Sequence, residues 1–479
     1  MARFILSSSA LVGLLALSAC SFTPKYERPQ MPVSAQYPQA EAAGNGQVAA
    51  VDLGWREFFT DQRLQALIAL ALENNRDLRL ATQRIEEARA QYGVVSSDRL
   101  PTIGVMAAEQ ATRYPEAARP AGPGSPSVSR SFQAGVGISS FELDFWGRVK
   151  NLSEAAYQQY LATEQAQRTA HLTVVAMTAE SYFRLRAAQE MQKLMRHTLK
   201  SRTESLRLVQ TSYDNGVASS LDLNQAKVQY STVLSDMAAA ERSEKQAENA
   251  LRLMLGTEIP DDMPAAADFT RAQLLPHLPV GLPSELLERR PDIIAAEMQL
   301  KAANANIGAA RAAFFPNVTL TGLLGFLSPQ LGGLFSSDNR YWQFQPQIVM
   351  PLFSGGTRGR LQVAEAQRDM AVTQYEKTIQ TAFREVADSL AGEATYSGQI
   401  DALSDVEKAA SETVRLANLR YEVGVDSFLQ VQTAEISLYG TRQAYIQTGL
   451  ASLLNRVELY KALGGGWNAD TITPQDDKA

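Results

Sequence analysis

The 479-residue sequence holds a single cysteine, Cys20, so no intrachain disulfide can form. It holds three histidines, His171, His197 and His277, too far apart in the chain to read as metal ligands. Charge of positive sign is also short: the formal net charge is -6, which argues against nucleic acid as a partner. Catalytic signatures are missing, with no GKS/T phosphate loop, no HExxH and no Gly-x-Ser-x-Gly. No segment is apolar enough for a transmembrane helix. Proline is absent between Pro126 and Pro260 and again between Pro351 and Pro474. Interior proline costs a helix about 3 kcal/mol. Both spans are therefore free to be helical, and they are rich in Ala, Gln, Glu and Arg.

What is present begins at the N terminus. Arg3 is followed by an apolar run from Phe4 to Leu17 and then by small residues. The run is too short to span a bilayer and reads as a secretory signal over 1–19. Its end, Leu17-Ser18-Ala19-Cys20, resembles a bacterial lipobox, in which the cysteine becomes the lipid-bearing first residue of the mature chain. Ser21 follows in place of the Asp that holds many lipoproteins at the inner membrane, which favours the outer one.

The chain is written twice. The segment from Asn74 aligns with that from Arg289, bringing Pro101 onto Pro316. Further on, Phe145 falls on Phe353, Gly147 on Gly355, Tyr213 on Tyr421 and Gly216 on Gly424. One plan recurs: helix, strand, loop, strand, long helix, glycine turn, helix. The boundaries it predicts are an N-terminal segment over 20–60, a first repeat over 61–256, a linker over 257–283, a second repeat over 284–463 and a tail over 464–479. Helices are expected near 148–213, 219–255, 356–421 and 427–462. The first would run on the order of 95 Å at 1.5 Å per residue. Steps of three and four join Leu223, Ala226, Tyr230, Val233, Met237 and Ala240, and likewise Leu403, Val406, Ala410, Val414, Ala417 and Tyr421. These are coiled-coil-like seams.

Strands are expected near 101–113, 129–144, 316–326 and 340–351. Alternation puts Phe132, Val136 and Ile138 on one face, opposite Gln133, Gly135, Gly137 and Ser139. Val318 and Leu320 oppose Asn317, Thr319 and Thr321. Trp342, Phe344 and Ile348 oppose Gln343, Gln345 and Gln347. A half-buried soluble sheet would alternate in the same way. The uncharged polar face instead suits a water-filled lumen, with the apolar residues toward lipid. Four strands cannot close a membrane barrel, since about eight is the minimum, and open edges in lipid are forbidden. Three chains would supply twelve.

The lipobox, the twofold repeat and the paired Tyr-x-x-Gly-Val turns together resemble the outer-membrane efflux proteins, the TolC- and OprM-like channels. The resemblance covers the mature chain. It implies a mainly α fold with a transmembrane β-barrel: a homotrimer whose four strands per chain make a 12-stranded barrel above a periplasmic α-barrel. A mixed equatorial belt would come from Pro24 to Trp55, Gly256 to Pro283 and Gly464 to Ala479. The implied role is the exit duct of a tripartite multidrug efflux system, with a periplasmic adaptor and an inner-membrane RND-type pump as partners. No cofactor is implied beyond N-acyl and S-diacylglycerol lipid on Cys20. Gly216, Val217, Gly424 and Val425 would meet the adaptor. Leu429 would close the resting pore, with Thr433 one turn on, and Asp426 or Asp222 would help set ion preference. A duct for protein secretion, a periplasmic structural lipoprotein and a lipoprotein enzyme are the other readings, the enzyme disfavoured by the helical pattern.

Overall fold

A computed structural model describes residues 22–34, 36–37, 52–119, 122, 124–269, 274 and 287–467. The signal segment, Cys20, much of the 257–283 linker and the tail beyond 467 lie outside the described residues. The elements are α1 (Gln62–Asn74), α2 (Arg76–Ser97), β1 (Ile103–Arg113), β2 (Val128–Glu142), α3 (Arg148–Asp214), α4 (Ser220–Leu255), α5 (Pro291–Ala312), β3 (Asn317–Ser328), β4 (Arg340–Val349), α6 (Gly355–Glu422) and α7 (Phe428–Ala462). The proline-free spans hold the long helices: α3 has 67 residues and α6 has 68. None of the described helices is long and apolar enough to cross a membrane.

The chain divides into two compact units, each assembled from pieces of both repeats. The first comprises 1–30, 84–164 and 295–375. Its centre is an antiparallel sheet in the order β1-β2-β3-β4. Val105 pairs with Val136, Val136 with Leu324, and Leu324 with Trp342. A bulge between Ile138 and Phe141 shifts the register, with Ser140 at φ 51 and its N–H donating to Thr321 Oγ1 at 3.3 Å. Gly135 and Gly325 face each other across β2 and β3, where a Cβ on Gly325 would lie 2.1 Å from the Ala134 carbonyl oxygen. The strands approach there because neither residue carries a side chain.

An N-terminal strap lies along α5 in the same unit. Phe22 stacks on Phe315 at 4.5 Å and Trp146 stacks on Phe315 at 4.9 Å. Asn304 Nδ2 donates to the Pro24 carbonyl at 2.8 Å, and the Tyr26 hydroxyl donates to Glu297 Oε1 at 3.0 Å. Arg28 and Lys301 both pair with the buried Glu297 carboxylate. Burial pushes the Glu297 carboxyl up, but the hydrogen bonds from Lys301 and Arg28 outweigh it and leave the pKa below the ordinary value of 4.5.

The second unit comprises 31–83, 165–294 and 376–479. Its core packs Trp55, Phe58, Phe59, Leu64 and Ile68 against Val175, Tyr182, Phe183, Leu251, Val457 and Tyr460. Phe58 stacks on Tyr460 at 4.1 Å. Asp61 caps α1 by accepting from Arg63 N at 2.8 Å and Leu64 N at 3.4 Å. Its other oxygen accepts from the Tyr182 hydroxyl at 2.6 Å, so the buried carboxylate is satisfied. Of the first seam, Leu223, Ala226, Val233 and Ala240 are buried. The second seam differs: Ala417 is buried but Val406 is 48% exposed. That face of α6 has less of its own chain to pack against.

Candidate functional site

The two helical hairpins turn in the same way. At the end of α3, Val217 N–H donates to the Ser212 carbonyl at 2.8 Å and Gly216 N–H to Tyr213 at 2.9 Å. At the end of α6, Val425 N–H donates to the Arg420 carbonyl at 2.9 Å and Gly424 N–H to Tyr421 at 3.0 Å. This is the Schellman pattern, in which the residue after the helix takes the left-handed conformation. Gly216 and Gly424 both have φ 75. The residue after each glycine projects outward: Val217 is 82% exposed and Val425 61%.

Behind the turns, all four helix ends share one apolar cluster. Val209, Leu223, Ala226, Ala417, Phe428, Val431 and Ala434 are buried together, with Tyr421 against them. Phe428 thus anchors the first turn of α7, while its neighbour Leu429 is 50% exposed. The Thr433 hydroxyl donates back to the Leu429 carbonyl at 2.8 Å.

The two carboxylates expected to set ion preference are each engaged locally. Asp426 accepts from Arg420 Nε at 2.6 Å and from Nη2 at 3.2 Å. That guanidinium holds the Asp426 carboxyl below the ordinary carboxylate value. A like-charge reading of this position therefore changes, because each Asp426 brings its own counter-charge. Asp222 belongs to a capping box: it accepts from Ser219 N at 3.0 Å, and the Ser219 hydroxyl accepts from Asp222 N at 3.1 Å. Burial, and then the Asp222 charge, raises the Tyr421 pKa, so this carboxylate also acts toward the second hairpin. Ser427 takes the corresponding place before α7, but its side chain makes no capping bond.

Sequence reading missed these partners, although both left a signal. Ser219-x-x-Asp222 is a capping-box spelling, and Arg420 and Asp426 flank a glycine turn whose backbone brings its ends together. A third feature left none. Arg202 of α3 and Glu435 of α7 form a partly buried ion pair between the hairpins, 233 residues apart in the chain. Beside it the Tyr439 hydroxyl reaches Asp236 Oδ2 at 2.8 Å.

The sheet gathers the other expected residues. Register and alternation place Phe132, Val136, Ile138, Val318, Leu320, Trp342, Phe344 and Ile348 on one face. On that face Val105 is 86% exposed and Trp342 73%. Gln343, Gln345 and Gln347 share the other face, where the Gln343 side-chain amide donates to Gln345 at 2.8 Å. β1 and β4 are unpaired along their outer edges among the described residues. Cys20 lies outside them.

Comparison with known proteins agrees with this arrangement. The profile of the family described as "Outer membrane efflux protein" matches residues 67–257 and 282–465. The antibiotic efflux pump outer membrane protein ArpC of Pseudomonas putida is 43% identical over 467 residues, 97% of this chain and 96% of its own length. The cation efflux system protein CusC of Escherichia coli O157:H7 is 40% identical over 460 residues, covering 95% and 97%. The open state of the MtrE outer membrane channel of Neisseria gonorrhoeae superposes with a TM-score of 0.85 at 38% identity, covering 95% of this chain and all of that one. With its sheet, its long hairpins and these likenesses over nearly its whole length, the chain belongs to the outer membrane efflux protein family, whose members are transport channels and not enzymes.

Proposed function

We propose that the protein is the passive exit duct of a tripartite multidrug efflux pump, a lipid-anchored homotrimer that conducts drugs and other amphiphiles from a periplasmic adaptor and an RND-type pump across the outer membrane. One observation supports assembly from several copies: a four-stranded sheet with an exposed apolar face and two open edges. Lipid cannot satisfy the backbone groups of an open edge. β4 of one copy pairing with β1 of the next removes both edges, and three copies, the number that the family resemblance implies, give twelve strands. Acylation of Cys20 tethers the N-terminal segment to lipid.

At the hairpin ends, the Val217 and Val425 knobs and their glycine turns form the surface that meets the adaptor. Leu429 narrows the resting duct. Replacing it with alanine raises single-channel conductance and antibiotic influx; unchanged values for both would remove Leu429 from the gate. Relatives of nearly equal identity carry names that speak of antibiotics in one case and cations in the other. A duct that selects little, with the pump choosing the cargo, accounts for both. Deleting the gene tests the reading with a panel of drug susceptibilities. Increased susceptibility is expected, and unchanged susceptibility together with loss of a secreted protein would point to a secretion duct instead.

A further inference from the structure

The apolar face of the sheet is not apolar throughout. Along β1 it carries Ile103, Val105, Ala107, Glu109, Ala111 and Arg113. Arg130 stands opposite Ala111, and Arg113 opposite Val128, so the two arginines are diagonal neighbours on one face. Such neighbours lie about 7–8 Å apart. Arg340 begins β4 on the same face, paired with Phe326 and two residues before Trp342. All three are at the loop end of the sheet, and all three are exposed. None has a carboxylate partner among the described residues; Glu109, the acid on this face, pairs in register with Phe132 and so stands diagonal to Arg130, but no ion pair joins them. The opposite end of the face, with Phe141, Val318, Leu320 and Ile348, carries no charge.

Cations on a lipid-facing surface are costly at the bilayer centre and tolerated at the interface, where the guanidinium reaches headgroups. Arginine matches phosphate with paired, charge-assisted hydrogen bonds. We propose that Arg113, Arg130 and Arg340 form a binding rim for the phosphate groups of an anionic lipid in the leaflet at the loop end of the sheet. This rests on the membrane-inserted barrel described above. In a ring that pairs β4 with β1 of the next copy, Arg340 and Arg113 border the seam between copies, so a bound phosphate also bridges subunits.

The test uses the full-length protein reconstituted in phosphatidylcholine vesicles with and without diphosphoryl lipid A. The amount of lipid A retained per protein after detergent extraction is the readout. The wild type retains it, and Arg113→Gln, Arg130→Gln and Arg340→Gln each weaken retention, roughly fivefold for each charge removed near the membrane surface. The corresponding lysine variants, which keep the charge but lose the paired donors, retain more than the glutamine variants and less than the wild type. Equal retention by the triple glutamine variant and the wild type overturns the proposal, as does full competition by millimolar inorganic phosphate, which would mark a generic anion site. Failure of the wild type to insert into any vesicle refutes the barrel reading itself. Insertion without discrimination for lipid A refutes the rim alone.

Discussion

Three glycines of this chain share nearly one backbone conformation and differ in what surrounds them, which separates two costs that usually arrive together. Gly216 and Gly424 have φ 75 and Gly256 has φ 69. An L-residue held there costs about 1–2 kcal/mol. Part is recovered because alanine leaves the unfolded chain less entropy to lose, roughly 0.4–1 kcal/mol. At the two hairpin turns a new Cβ meets nothing within 4 Å, so that difference, about 0–1.6 kcal/mol, is the whole effect. At Gly256 the Cβ would lie 2.4 Å from the Asn74 carbonyl oxygen, a backbone atom that cannot rotate away. Overpacking adds about 1–3 kcal/mol, for a total of about 1–5 kcal/mol. Urea titration of the purified alanine variants, followed by helical circular dichroism, measures the order. Gly216→Ala and Gly424→Ala should stay close to the wild type, with Gly256→Ala well below. Similar midpoints for all three would refute the argument from space, and a large loss at the hairpin turns would mean those glycines are held by contacts the chain alone does not show.

Two further predictions concern charge. Arg202 is buried and Glu435 partly buried, at 5% and 12% side-chain exposure. Removing one partner strands the other, so Glu435→Gln or Arg202→Met should each cost about 3–5 kcal/mol, and the double apolar replacement should recover much of it; thermal melts of the three variants check this. Where the strap meets α5, the depressed Glu297 pKa means that this group stabilises the fold above its ordinary value of 4.5, and that the contribution is lost as pH falls through the lower folded-state value. Glu297→Gln should flatten that acid limb of the stability–pH curve, and an unchanged limb would remove Glu297 from it.

How much of this was legible depends on the range of the interaction. The hairpin turns were, because an isolated glycine after a long helical pattern has one common use and φ 75 requires it. The face of the sheet was, because alternation is local and the register then carries it across strands. The first seam was, since Leu223, Ala226, Val233 and Ala240 bury on their own chain; the second was at its turn end alone, where Val414, Ala417 and Tyr421 pack into the cluster behind the hairpins while Val406 stays exposed, because periodicity tells which face of α6 is apolar and nothing about what covers it. Contacts between distant segments left no periodic trace. Nothing in the spelling of residues 22–28 says that they lie against 297–315, nor that Arg202 meets Glu435. The compact units cut across the repeats for the same reason: a repeat is a fact of sequence, whereas a unit is decided by which distant surfaces pack.

The two hairpin ends have matching turns and unmatched helix starts. Ser219 closes a capping box on α4, while the Ser427 side chain makes no capping bond and only its carbonyl accepts, from Gln430 N at 3.0 Å. A side-chain cap contributes about 1 kcal/mol, which at room temperature is roughly a fivefold difference in how often a first turn frays. Amide protons at the start of α7 should then exchange with solvent faster than their counterparts in α4. Leu429 rides on that looser turn. One tip of the chain is built as a stiff post and the other as a hinge, though their glycines are set alike.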